Sequence, residues 1–240
     1  MIVKNRLLNY KDLIIYQDDD YFMFSLDSVL LANFIRIRKD DMFAVDFCTG
    51  NAPISMILAS KKPKIKITGV ELQKEIFELA NRSINENNFD DKIKIINDDV
   101  KNIFNYYEQG SADIVFSNPP YFKYQDSSLL NEDKVKAIAR HEIYLTLEDL
   151  IKTSSKLLKN GGNFYLVHRP FRTVDILCLL RKYNLEVKRL QFVYPKKDTE
   201  ANAILIESSK NGKSGIKILP PLYVHNDDNS YTDFVRKMFE

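Results

Sequence analysis

VDFCTGNAPISM, Val45 to Met56, begins inside the apolar run Phe43–Phe47, breaks at Thr49-Gly50-Asn51 and resumes as a helical pattern over Ile54–Ser60. A strand, a glycine turn and a helix in that order form the ligand-binding βα unit of a doubly wound sheet. Gly50 lets a ligand approach the backbone closely, and the helix N-terminus behind it can face a polar ligand group. Asn51, Ala52 and Pro53 follow, so the GxGxxG pattern of a dinucleotide pyrophosphate site is absent. An ordinary βα turn has the same outline; the unit names a fold class before it names a ligand.

Outward from this unit, strand and helix signals alternate. Lys64–Val70 alternates with period two, and Gln73–Asn88 carries Ile76, Phe77, Ala80 and Ile84 on one stripe. Ile93–Ile96 and Asp113–Phe116 read as strands. Leu147–Leu158 reads as a helix stopped by Asn160-Gly161-Gly162, followed by strand Asn163–Val167 and helix Thr173–Tyr183. The order argues a mostly parallel sheet with helices on both faces. Leu185–Tyr194 and Ala203–Glu207 have no helix between them, so an antiparallel hairpin is expected at one sheet edge. Residues 1–40 read as an N-terminal extension with one helix, Ser28–Arg38, packing on a main domain of residues 41–240. Lys123–Arg140 is polar and weakly periodic, a surface loop or a mobile flap.

Of the 240 residues, 45% are hydrophobic and 28% charged, as in ordinary globular proteins. No apolar run approaches the roughly 18 residues of a membrane span, and Met1–Asn9 lacks signal-peptide character, so a cytoplasmic protein is expected. Cys48 and Cys178 are too few and too far apart for a disulfide framework or a zinc cluster. His141, His168 and His225 lack metal-ligand spacing, and no metal is expected. Net charge is +2, from 35 basic and 33 acidic residues, which excludes a globally basic nucleic-acid binder and leaves room for a local patch. Lys196-Lys197 is one such cluster, although a charge run is usually a solvated face.

Three further strand ends carry polar residues. ITGVELQ ends a strand on Glu71, 21 residues past Gly50, where a carboxylate suits ribose hydroxyls. A helix N-terminal acid favoured by the dipole is the plainer reading. IINDDV offers Asp99, and second to it Asp98, as acceptors for an adenine amino group; turn aspartates look the same. DIVFSNPPYF, Asp113 to Phe122, ends a strand on Asn118 and then locks two residues as proline. Proline fixes φ, lacks an N–H and pushes the preceding residue to extended geometry. The result is a stiff corner displaying hydrogen-bond acceptors, with Tyr121 beside it.

This set resembles the Rossmann-like class I methyltransferases that use S-adenosyl-L-methionine. Phe24–Phe34 (FSLDSVLLANF), Ser117–Lys123 (SNPPYFK), Ala139–Glu142 (ARHE) and Val193–Leu222 narrow it: they are similar to the bacterial valine tRNA adenine-37 N6-methyltransferases. The resemblance implies a seven-stranded core, S-adenosyl-L-methionine as donor and an anticodon-loop adenine in tRNA as acceptor. It implies a cofactor wall that includes Asp46, Cys48, Gly50 and Asn51 in the first turn. Glu71 and Leu72 would follow at the second strand end, Asp98, Asp99 and Val100 at the third, and Asn118 at the fourth. The family usually reads Cys-Thr/Ser-Gly-Asn-Gly, and here Ala52-Pro53 replaces the second glycine; Pro53 suits the first turn of a helix. Asp27 travels with the family's N-terminal segment, as part of the cofactor wall or as the N-cap of the helix starting at Ser28. Cys48 is a small residue in the turn with nothing nearby to lower its pKa, so no nucleophilic role is expected.

Asn-Pro-Pro-Tyr implies methylation of a planar amino group. The Asn118 side-chain oxygen and the Pro119 carbonyl are the expected acceptors for its two N–H groups, directing the nitrogen lone pair at the methyl donor. Tyr121 is expected to stack on the base, and Phe122 either helps it or only packs. Lys196, Lys197, Arg169 and Arg172, with Lys4 and Arg6, are the candidates for phosphate contacts. A protein-glutamine N5-methyltransferase presents the same chemistry but would need an N-terminal helical domain, and only about 40 residues precede the first core strand. A DNA adenine methyltransferase and a non-catalytic RNA-binding module are further alternatives. The motifs make up one site, so a monomer is expected.

Overall fold

The structure, a computed structural model, describes residues 1–7, 10, 12–18, 25–39, 42–120 and 145–239. Tyr121, Phe122, the Lys123–Arg140 stretch, His141 and the ARHE segment lie outside the described residues. Strands β1 (Ile2–Arg6) and β2 (Ile14–Asp18) pair antiparallel, and helix α1 (Leu26–Phe34) follows. The core then runs β3 (Phe43–Phe47), α2 (Pro53–Lys61), β4 (Lys66–Glu71), α3 (Lys74–Glu86), β5 (Ile93–Asn97) and β6 (Ala112–Ser117). It continues with α4 (Leu147–Leu157), β7 (Leu158–His168), α5 (Thr173–Lys182), β8 (Leu185–Tyr194) and β9 (Ala203–Lys210). Short strands β10 (Lys217–Ile218) and β11 (Leu222–Tyr223) and a final turn of helix, α6 (Asp233–Arg236), close the chain.

The sheet order is β10-β8-β9-β7-β6-β3-β4-β5, with β11 also on β8. β3 to β7 pair parallel, and β9 lies antiparallel between β7 and β8. These seven strands, β3 to β9, are the expected core with its antiparallel hairpin. The hairpin is not the outermost edge, because β10 and β11 pair parallel with β8 and cover it. Two apolar layers sandwich the sheet. Ala44, Ile67, Phe116 and Val167 face α1 and α2, while Val45, Val70, Val115 and Leu166 face α4 and α5. The alternation along each strand follows the two-residue period of the pleat. Burial on both faces explains why the sequence of β3 is almost continuously apolar. Among the described residues no helix is long and apolar enough to cross a membrane.

Local boundaries differ from expectation at three places. The N-terminal extension holds a β-hairpin as well as a helix. That helix runs Leu26–Phe34, starting two residues early and stopping four short of Arg38. Asn160-Gly161-Gly162 does not end α4, which has already ended at Leu157. The three residues form an irregularity early in β7, where the pairing shifts between Ala112↔Leu158 and Ile114↔Asn163.

Candidate active site

The carboxyl ends of β3, β4, β5 and β6 lie side by side, the place where open α/β sheets bind ligands. At the end of β3 the chain takes left-handed backbone at Cys48 (φ 58°), Gly50 (φ 57°) and Ala52 (φ 62°). Ala52 holds the left-handed conformation that favours glycine, at a strain of about 1–2 kcal/mol. Its N–H donates to Thr49 O (3.0 Å), and Pro53 opens α2 behind it. Thr49 folds over β4, and only a glycine allows it: a Cβ on Gly69 would lie 2.9 Å from Thr49 Oγ1 and 2.6 Å from Ile95 Cδ1.

Glu71 reaches back across this turn. Its Oε2 accepts the Gly50 N–H (3.0 Å) and its Oε1 accepts the Gln73 N–H (3.0 Å). A carboxylate has about four lone-pair sites, so these bonds orient it and leave capacity for two ligand hydroxyls. Burial pushes its pKa up, and the backbone N–H groups of Gln73 and Gly50 oppose that shift. Asp46 is buried beneath the turn. Its Oδ2 accepts from Thr49 Oγ1 and Ser55 Oγ, both at 2.7 Å, while its Oδ1 has no hydrogen-bond partner among the described residues. Burial raises its pKa to about 7 against the two hydroxyl bonds. Burial, with Glu71 next in size, also pushes the Cys48 thiol up, away from nucleophilic character.

The remaining expected residues divide. Leu72 is 40% exposed directly after Glu71, and Val100 is buried. Asp98 is engaged by its own turn, accepting from Asp99 N (2.7 Å), Asn102 Nδ2 (2.8 Å) and Tyr106 Oη (2.9 Å), which hold its carboxyl low. Asp99 caps the short 3₁₀ turn by accepting from Lys101 N at 2.8 Å. Asn51 is tied to the N-terminal hairpin, its Nδ2 donating to Tyr16 O at 2.8 Å.

At the end of β6, Ser117 Oγ donates to Phe47 O (2.7 Å), fixing the two strand ends together. Asn118 follows, half-buried, and its Nδ2 donates to Ser28 Oγ of α1 at 3.2 Å. Pro119 is buried. Asp27 is not an N-cap, because Ser25 holds that position; its carboxylate instead lies 3.8 Å from Arg169 Nη2. Arg169 also donates to Asn202 O (2.8 Å), and Arg172 is buried and paired with Asp175 at 2.9 Å. Both guanidiniums thus take part in the fold around the end of β7. Lys196 is half-buried, its Nζ donating to Asp227 O at 3.0 Å, whereas Lys197 is exposed.

A glycine turn, a buried acid at the second strand end and an Asn-Pro corner at the fourth suit transfer of a group from a nucleoside-type ligand. The sequence matches the methyltransferase small domain family over residues 25–191. The chain belongs to that family. The chain is 32% identical over 165 residues to the tRNA1(Val) (adenine(37)-N6)-methyltransferase of Porphyromonas gingivalis, spanning 68% of this chain and 64% of that protein. It is 25% identical to the Bacteroides thetaiotaomicron protein of the same name, over 98% of each chain. Among solved structures, a predicted O-methyltransferase from Agrobacterium tumefaciens superposes with a TM-score of 0.72 at 21% identity, covering 89% of this chain and 95% of that one. At that identity the structural likeness speaks for the fold alone.

Proposed function

We propose that the chain transfers a methyl group from S-adenosyl-L-methionine to the N6 amine of an adenine in tRNA, with adenine-37 of valine tRNA as the target. The two relatives above supply the target. The observation that carries the chemistry is the corner: Asn118, set at a strand end by Pro119 and by its bond to Ser28, at the same carboxyl end of the sheet as Glu71. The residues present fit the cofactor. Glu71 has lone-pair capacity for ribose hydroxyls, Asp46 Oδ1 is a buried acceptor with no partner among the described residues, and Leu72 offers an apolar surface. When bound, the cofactor supplies an electrophilic methyl on a sulfonium. Asn118 and Pro119 accept the hydrogens of the target amine, orient its lone pair and stabilise positive charge as it builds on nitrogen. Tyr121, outside the described residues, is the proposed stacking partner of the base. An anticodon-loop base leaves its stack at low cost. One chain, in the cytoplasm and without a metal, suffices for this site.

The test is single-turnover methylation of unmodified tRNA. Asn118→Ala should slow the methyl-transfer step by at least about 10²-fold, the scale for one preorganised electrostatic partner, with S-adenosyl-L-methionine affinity and Tm little changed. Asn118→Asp keeps an acceptor and should retain more activity than alanine. A wild-type rate in the alanine variant would reduce the corner to a rigid turn. Label appearing on a release factor or on DNA, and not on tRNA, would reassign the substrate.

A further inference from the structure

We propose that Ser28 is a positioning residue for methyl transfer: it receives the donor end of the Asn118 amide so that the acceptor end faces the target amine. The inference rests on the reading of Asn118 given above and extends it to a residue ninety positions away in sequence.

Ser28 is out of character with its surroundings. Val29, Leu30, Leu31 and Ala32, which follow it in α1, are all apolar and buried, and Ser28 itself is only 3% exposed. Serine is a poorer helix former than alanine, and a buried hydroxyl is costly unless it is hydrogen-bonded. Packing alone would be served better by alanine. What the hydroxyl does is accept from Asn118 Nδ2 at 3.2 Å. The two ends of an asparagine amide are chemically opposite, one donating and one accepting. A target amine brings hydrogens of its own, so only the accepting end is productive toward it. That orientation turns the NH₂ the other way, and the Ser28 hydroxyl is placed to receive it.

The helix carrying Ser28 is itself held. Arg189 Nη2 donates to Phe34 O at the far end of α1 (2.7 Å), its guanidinium lies 4.1 Å from the Phe34 ring centroid, and its Nε pairs with buried Glu207. At the near end, Asp27 and Arg169 link α1 to the end of β7. Ser28 is therefore a fixed post, and a misplacement of about 1 Å can slow a transfer step by about 10²-fold.

The experiment is a double-mutant cycle read by single-turnover methylation of unmodified tRNA at saturating S-adenosyl-L-methionine, with cofactor and tRNA affinities measured separately. Ser28→Ala should slow the transfer step roughly tenfold, the scale of one hydrogen bond in the oriented state, and leave both affinities within about twofold. In the Asn118→Ala background the same change should have almost no further effect, because the group it positions is gone. Ser28→Thr, which keeps the hydroxyl, should recover most of the rate. A full rate in Ser28→Ala, or an equal loss in both backgrounds, would overturn the proposal and leave Ser28 a packing residue. A wild-type rate in Asn118→Ala would remove the reading of Asn118 itself, an outcome distinct from either. Should the threonine variant fail to fold, the cycle decides without it.

Discussion

Asp46 serves the fold and is a candidate for the site. Its Oδ2 gathers Thr49 and Ser55, pinning the first turn to the start of α2, while Oδ1 is buried without a partner among the described residues. Its pKa of about 7 lies well above the ordinary aspartate value of 3.8. Between these values the native state binds more protons than the unfolded chain, so the contribution of Asp46 to stability is fully present below about pH 4 and is lost as pH rises through about 7. The slope is at most about 1.4 kcal/mol per pH unit. Asp46→Asn cannot titrate, so its urea-measured stability relative to wild type should climb across that window and level off above it. Parallel stability–pH curves for the two proteins would show that Asp46 is ionised throughout. Glu71 and Asn118 were legible as site candidates because each ends an apolar run on a polar group, a pattern visible within ten residues. The Ser28 contact was not legible, since no local pattern pairs a helix serine with an asparagine ninety residues on.

At the scale of elements, the β8–β9 hairpin projects residues 195–202 from the sheet end that carries the candidate site. It holds the two lysines expected to meet phosphate, and they are not equivalent. Lys196 is engaged with Asp227 O, whereas Lys197 is exposed. Lys197→Ala should weaken tRNA binding and flatten its log–log salt dependence by up to about one unit, with Lys196→Ala adding less and cofactor affinity unmoved. Filter binding across a KCl series checks this, and an unchanged slope places the RNA grip elsewhere. The hairpin strands were readable from their apolar runs with no helix signal between them. The β1–β2 hairpin was not, because IVKNR shows only half-buried and exposed positions. It is held by partners remote in sequence: Tyr16 N donates to Ser83 Oγ (2.9 Å), and Asn87 bonds both Ile14 N (2.9 Å) and Ile14 O (2.7 Å). Strands β10 and β11, two residues each, are too short to leave a periodic signal.

For the whole molecule, the Arg189–Glu207 pair is the tie between the C-terminal strands and the N-terminal helix. Glu207 lies on β9 and Arg189 on β8. Tyr165 of β7 donates to Glu207 Oε1 (3.3 Å), and Arg38 approaches the same carboxylate at 3.6 Å. With Arg189 8% and Glu207 2% exposed, removing one charge strands the other. Glu207→Ala should destabilise the fold by about 3–5 kcal/mol in denaturant unfolding; a loss under about 1 kcal/mol would mark the pair as dispensable. The same network ends α1 at Phe34, whose carbonyl it takes, although the sequence pattern continues toward Arg38. By itself the sequence determined the alternating core, its two-faced burial and the polar strand ends, because side-chain period and strand-terminal chemistry are local properties. Only the tertiary structure decided that β9 inserts between β7 and β8, that the hairpin edge is covered, and that Ser28 meets Asn118. Those depend on contacts between distant segments, to which a local pattern is indifferent.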